Sequence, residues 1–65
     1  MKSDLHDVEV IYQAATERAV CVRADEDGED VWLPLSQCEV SGATRRGGVV
    51  TLTASERLLT EKGLV

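Results

Sequence analysis

The stretch ERAVCVRADEDGEDVWLP, residues 17–34, decides the fold of this chain because two strand patterns flank a turn signal in it. Before the turn, Val20 and Val22 alternate with other residue types, as in a strand with one buried face. The Asp-Gly pair in the middle predicts a tight hairpin turn, because these residues tolerate the positive φ angles that such turns require. Pro34 has no backbone N–H, so the returning strand either ends there or runs along a sheet edge.

Further strands are predicted on both sides of this hairpin. Residues 7–13 alternate with Val8, Val10 and Tyr12 on one face, which is again the period of a strand. Residues 37–40 and 49–53 are the other strand segments, and residues 1–6 lack any period and are expected to form a flexible tail. The pattern predicts one β-rich domain over residues 1–65, of class α+β, with a small antiparallel sheet of four to five strands and a short C-terminal helix. A curled, SH3-like sheet is the alternative arrangement.

The C-terminal residues carry signals for a short helix. Thr53-Ala54-Ser55-Glu56 fits a capping box with Thr53 as the N-cap, and Leu58 and Leu59 supply an apolar stripe. Gly63 suits the left-handed residue that ends a helix. A helix of this length is marginal alone, so it must pack against the sheet.

Size and composition point to a small acidic binding domain. The chain has 65 residues, a net charge of −5 and no apolar run of the length that a membrane span needs. No secretory signal pattern follows Met1, so we expect the protein in the cytoplasm, away from the membrane. We also expect it to be a monomer. In a reducing cytosol Cys21 and Cys38 are expected to be buried thiols, although the sequence leaves a disulfide between them open.

The sequence contains no recognisable catalytic machinery. His6 is the only histidine, and one histidine with two cysteines does not make the four-ligand set of a structural zinc site. Gly47-Gly48 is too short for a phosphate-binding loop and leads into a strand. We therefore expect no enzyme activity, no metal and no cofactor.

The acidic segment between the two hairpin strands is the first candidate binding feature. It contributes five carboxylates, those of Asp25, Glu26, Asp27, Glu29 and Asp30. One interpretation is a solvated turn that keeps the protein soluble and protects a sheet edge. The other is a phosphate-like surface that the lysine and arginine clusters of a nucleic-acid-binding protein would accept. Glu9, Glu17 and Glu39 extend that surface if they share its face.

Trp32 is the second candidate feature. Its large apolar area suits a core anchor. Alternation, however, places Trp32 on the opposite face from Val31 and Leu33, and an exposed tryptophan beside carboxylates suits a binding hot spot. A third feature, Arg45-Arg46 on a glycine-containing loop, is a weak nucleic-acid signal in a domain of net charge −5.

Residues 16–40 resemble a kind of small protein found in phages and prophages. Its pattern is a strand with an Ala-Val-x-Val core, an acidic Asp-Gly turn and then Trp-(Leu or Ile)-Pro-x-Ser-Gln, which here is Trp32-Leu33-Pro34-Leu35-Ser36-Gln37. These proteins mostly lack an assigned activity, so no binding residue is implied, and Leu35 stands where a basic residue is common. In size and acidity the chain is also similar in type to anti-CRISPR proteins that imitate DNA.

These observations give two functional hypotheses. The first is an acidic phage-type inhibitor that covers the basic nucleic-acid-binding surface of a host defence complex, such as a type I CRISPR surveillance complex. Its partner-binding residues would be Asp25, Glu26, Asp27, Glu29, Asp30, Trp32, Glu17 and Glu39. The second is an SH3-like interaction module that binds a peptide or partner subunit through Trp32, Pro34 and Tyr12. Direct nucleic-acid binding is not expected, because the overall charge opposes it.

Overall fold

The computed structural model describes residues 4–64 and shows a five-stranded antiparallel sheet followed by a short helix, as the sequence predicts. The strand order is β3-β2-β1-β5-β4. A short 3₁₀ turn, Leu35–Gln37, joins the two edge strands β3 and β4. The elements are β1 (Leu5–Ala15), β2 (Ala19–Arg23), β3 (Val31–Pro34), β4 (Cys38–Gly42), β5 (Val49–Ser55) and α1 (Glu56–Glu61).

The central strand β1 is long because it pairs with one strand along its first part and with another strand along its last part. Its first part pairs with β5, from Leu5 opposite Ser55 to Ile11 opposite Val49. Its second part pairs with β2, with a break in register between Tyr12 and Ala14. This change of partner brings the end of β2 and the start of β5 to either side of Ile11.

The start of β1 corrects the prediction of a tail over residues 1–6. Leu5 and His6 belong to the sheet, because β5 continues to Ser55 and offers them pairing partners. Nε2 of His6 lies 3.3 Å from a carboxylate oxygen of Glu56, and both side chains are more than half exposed. Residues 1–3 lie outside the described part of the chain.

One face of the sheet and the inner side of α1 enclose the core. The alternation seen in the sequence is confirmed, because Val10, Val20 and Val22 are buried and Val8 and Tyr12 pack against them. Pro34 ends an edge strand, as expected. The buried cluster consists of Val10, Val20, Val22, Leu33, Cys38, Val50, Leu52, Ala54, Leu58 and Leu59.

The helix forms where the sequence predicts, but with a different cap. Ser55 is the N-cap, and its hydroxyl oxygen accepts a hydrogen bond from the N–H of Leu58 at 3.1 Å. Thr53 belongs to β5, where its hydroxyl donates to Oδ1 of Asp7 at 2.6 Å. Gly63 has a φ of +73° and ends the helix as expected. No helix within residues 4–64 is long and apolar enough to cross a membrane.

The acidic connection between β2 and β3 is not the tight hairpin that the Asp-Gly pair suggested. The φ angle of Gly28 is not positive, so Asp27 and Gly28 do not form the two-residue turn of a tight hairpin. Instead, the N–H of Gly28 donates to the carbonyl of Asp25 at 3.0 Å, and Oδ1 of Asp25 accepts from the N–H of Asp27 at 3.0 Å. Aspartate in the first position and glycine in the fourth are typical of a type I turn.

Candidate partner-binding surface

The carboxylates of the acidic loop, residues 24–30, are not equivalent. Asp25 uses one carboxylate oxygen to close the turn. Asp30 accepts a hydrogen bond from Nε of Arg23 at 2.5 Å, and this contact raises the pKa of the guanidinium. Asp30 is therefore already neutralised by the chain's own arginine, which removes it from the predicted phosphate-like set. The side chains of Glu26, Asp27 and Glu29 make no hydrogen bond or ion pair with the rest of the described chain.

Glu9 joins the acidic loop on the outer face of the sheet, the face turned away from the core. Ile11 lies opposite Arg23 on one side and Val49 on the other, so the first residues of the loop that follows β2 lie beside β1. Glu9 is two positions from Ile11 and points to the same face. Glu9, Ile11, Asp25, Glu26 and Val49 thus line one shallow groove of about 280 Å³. We call these five residues the acidic groove.

The other two residues predicted to extend the acidic surface, Glu39 and Glu17, do not line the acidic groove. Glu39 lies on β4 opposite Thr53, which in turn lies opposite Asp7, so Glu39 and Asp7 share the outer face but stand on either side of β5. Glu17 precedes β2, whereas the acidic loop follows it, so Glu17 lies at the opposite end of that strand. The structure therefore does not bring Glu17 to the acidic groove. Asp7 is an outer-face carboxylate that the sequence analysis did not single out.

Trp32 lies outside the core and is 48% exposed. Its neighbours in the chain, Leu33 and Val31, are turned inward, so the core-anchor interpretation is wrong. Trp32 is opposite Cys21 on the outer face, while Tyr12 packs against the core on the other face. Trp32 and Tyr12 therefore do not line one groove, and Tyr12 is removed from the predicted peptide-binding set.

The two cysteines are free and buried, as predicted. Cys38 belongs to the core, whereas Cys21 alternates with Val20 and Val22 and so lies on the outer face. The sheet separates the two thiols, and a disulfide between them is incompatible with this fold. Burial raises the pKa of both thiols, and the charge of Asp30 raises that of Cys21 further.

We expect Trp32→Ala to make Cys21 react faster with a thiol reagent while Cys38 stays protected. Cys21 is buried although it lies on the outer face, and its register partners there are Ala14 and Trp32. Cross-strand neighbours on one face are close enough for a tryptophan to cover a thiol. Mass spectrometry of the alkylated protein measures the two sites separately. Equal acceleration at both cysteines would indicate general loosening of the fold rather than loss of a cover.

Arg45 and Arg46 lie in the exposed loop between β4 and β5. The loop is tied to β1, because the N–H of Tyr12 donates to the carbonyl of Gly48 and the N–H of Gly47 donates to the carbonyl of Tyr12, each at 2.8 Å. Neither arginine forms an ion pair with a residue in the range 4–64. In the same range, no three His, Cys, Asp or Glu side chains are grouped to hold a metal ion.

Comparisons with known proteins give no information about this surface, so its interpretation depends on its own chemistry. No protein-family model, no curated protein and no solved structure matches this chain.

Proposed function

We propose that this chain is an acidic, phage-type inhibitor, similar in type to anti-CRISPR proteins, that blocks a nucleic-acid-binding surface of a host defence complex. A type I CRISPR surveillance complex is the partner class we propose. The protein would act as a monomer in the host cytoplasm, by binding alone, without catalysis or cofactor. Its carboxylates would occupy the positions that phosphates take on a basic protein surface.

The acidic groove is the observation that supports this proposal. Glu9 from β1 and Glu26 from the acidic loop line this groove together with the apolar side chains of Ile11 and Val49, and Val49 is 59% exposed. Lysine and arginine side chains bury their aliphatic stems on apolar surface while their charged ends reach for anions. A groove lined by both carboxylates and apolar side chains therefore suits the lysine and arginine side chains that normally hold a phosphate backbone.

The proposal predicts competition with DNA that weakens as salt is added. The measurement is a gel shift in which the protein displaces a target duplex from a purified type I surveillance complex. Exposed charge pairs are screened by salt, so the affinity of the inhibitor, measured directly by titration calorimetry, should fall between about 0.05 M and about 0.5 M salt. Binding that is unaffected by salt, or an inhibitor that leaves the DNA bound, would contradict the proposal.

The exposed Trp32 favours a second candidate function, an interaction module of SH3-like curl that binds an extended peptide or partner subunit. Trp32 and the half-buried Pro34 lie on the edge strand β3, next to the 3₁₀ turn. An exposed tryptophan of this kind is a typical binding hot spot. This function predicts binding with little salt dependence and a strong loss on Trp32→Ala, so the same titration separates the two candidates.

A further inference from the structure

We propose that the outer edge of β4 accepts an extended segment of a protein partner as a sixth strand, with a lysine or arginine of that segment beside Glu39. β4 is the last strand in the sheet order, and its one neighbour is β5. An edge strand presents unpaired backbone groups that a second chain can pair with. No residue of β4 lines the acidic groove, so the inference does not depend on that groove.

The two edges of the sheet differ in their protection against such pairing. β3 has four residues, ends at Pro34, and is followed by a turn in which the N–H of Leu35 donates to the carbonyl of Arg18. β4 has five residues and contains neither proline nor lysine, the residues that commonly block an edge. Within the described chain, no strand, helix or loop pairs with the outer side of β4.

The side chains along β4 define the chemistry of the added strand. Val40 turns toward the core, whereas Glu39 and Ser41 are exposed on the outer face. A strand that alternates valine with lysine would therefore extend the core beside Val40 and place a cation next to Glu39. Opposite charges on neighbouring strands stabilise a sheet, and like charges oppose it.

A pocket at the start of β4 supports the same occupant. It has a volume of about 310 Å³ and extends over the outer face from β4 across Thr53 of β5 to Leu5 of β1. Its large apolar side chains are Leu5 and Leu35, which are 59% and 37% exposed. Glu39 also lines this pocket. This combination matches the aliphatic stem and charged end of a lysine or arginine. A second copy of this chain is a poor occupant, because each copy carries a net charge of −5 and would bring another Glu39 to the edge.

The test uses the peptide acetyl-Lys-Val-Thr-Val-Lys-Val-Thr-amide as the probe. In amide NMR spectra we expect the peptide to shift the signals of residues 38–42 and to slow hydrogen exchange along β4. A peptide of the same sequence with methylated central backbone nitrogens keeps its charge but cannot pair with a strand, so it should not produce these changes. Equal effects of both peptides, or shifts confined to the acidic groove, would overturn the proposal.

Charge variants test the contact with Glu39. Glu39→Gln should lower the affinity for the lysine peptide about threefold, the effect expected from losing one exposed charge pair. Glu61→Gln, which removes a carboxylate from α1, should leave the affinity unchanged. Glu39→Lys should reverse the preference in favour of a peptide with glutamate in place of lysine. Equal weakening at both positions, or β4 shifts that appear with protein concentration alone, would also overturn the proposal.

Discussion

We expect Leu33→Ala to lower the free energy of unfolding by about 2–5 kcal/mol, the cost of replacing a buried leucine by alanine in a core. Leu33 is fully buried, although it lies on the edge strand β3. Its side chain joins the core cluster that the sheet shares with α1. A domain near this size has a thin core, so a loss of this magnitude removes a large part of its total stability.

Leu35→Ala is the matched control, because it makes the same change two positions along the chain. Leu35 is 37% exposed and lies in the 3₁₀ turn, outside the core cluster. Its replacement should cost less than about 1 kcal/mol, as is usual for surface positions. Urea denaturation followed by circular dichroism measures both variants. Equal losses would contradict the inward orientation of Leu33 and place the core elsewhere.

The regular part of the fold was predictable from residue alternation. Val20 and Val22, like Val8 and Val10, have the two-residue spacing of a strand, so the side chains of each pair share one face, and the core forms on that face. Pro34 and Gly63 were also informative, because proline has no N–H to donate to a neighbouring strand and glycine tolerates the positive φ angle that ends a helix. The sheet order was not predictable in the same way, because it depends on which strands meet β1 on each side.

The errors in local structure come from contacts with residues outside each sequence motif. Thr53 and Ser55 both fit an N-cap, but Thr53 lies in a strand paired with β1 and its hydroxyl donates to Asp7. An Asp-Gly pair fits both a tight hairpin and the end of a type I turn, and the carboxylate of Asp25 stabilises the second arrangement by accepting from the N–H of Asp27. In each case the deciding contact involves a residue outside the motif.

The candidate surface was only partly visible in the sequence. The acidic loop is a local feature, so its exposure was predictable, whereas the addition of Glu9 and the exclusion of Glu17 depend on strand register and direction. Trp32 was ambiguous because Val31, Trp32 and Leu33 are all apolar, so alternation could not say which face is inward. Pairing of Asp30 with Arg23 likewise required the β2–β3 register.

The largest functional effect is expected from removing the unpaired carboxylates of the proposed inhibitor surface. The triple variant Glu9→Gln, Glu26→Gln, Asp27→Asn should lower affinity for the surveillance complex on the order of 100-fold, if each contact contributes about 1 kcal/mol. The fold should be unaffected, because all three side chains are exposed and make no hydrogen bond or ion pair with residues 4–64. Titration calorimetry of the purified complex measures the change.

A second triple variant, Asp4→Asn, Glu17→Gln, Glu61→Gln, separates position from net charge. It changes the net charge by the same amount, but none of its residues belongs to the acidic loop or lines the acidic groove. Affinity should therefore fall only slightly, through weaker long-range attraction. Equal losses in the two variants would mean that overall charge attracts the partner without placed carboxylates. Unchanged affinity in the first variant would contradict the proposed surface, because a phosphate mimic that has lost its carboxylates can no longer pair with the cations of a basic groove.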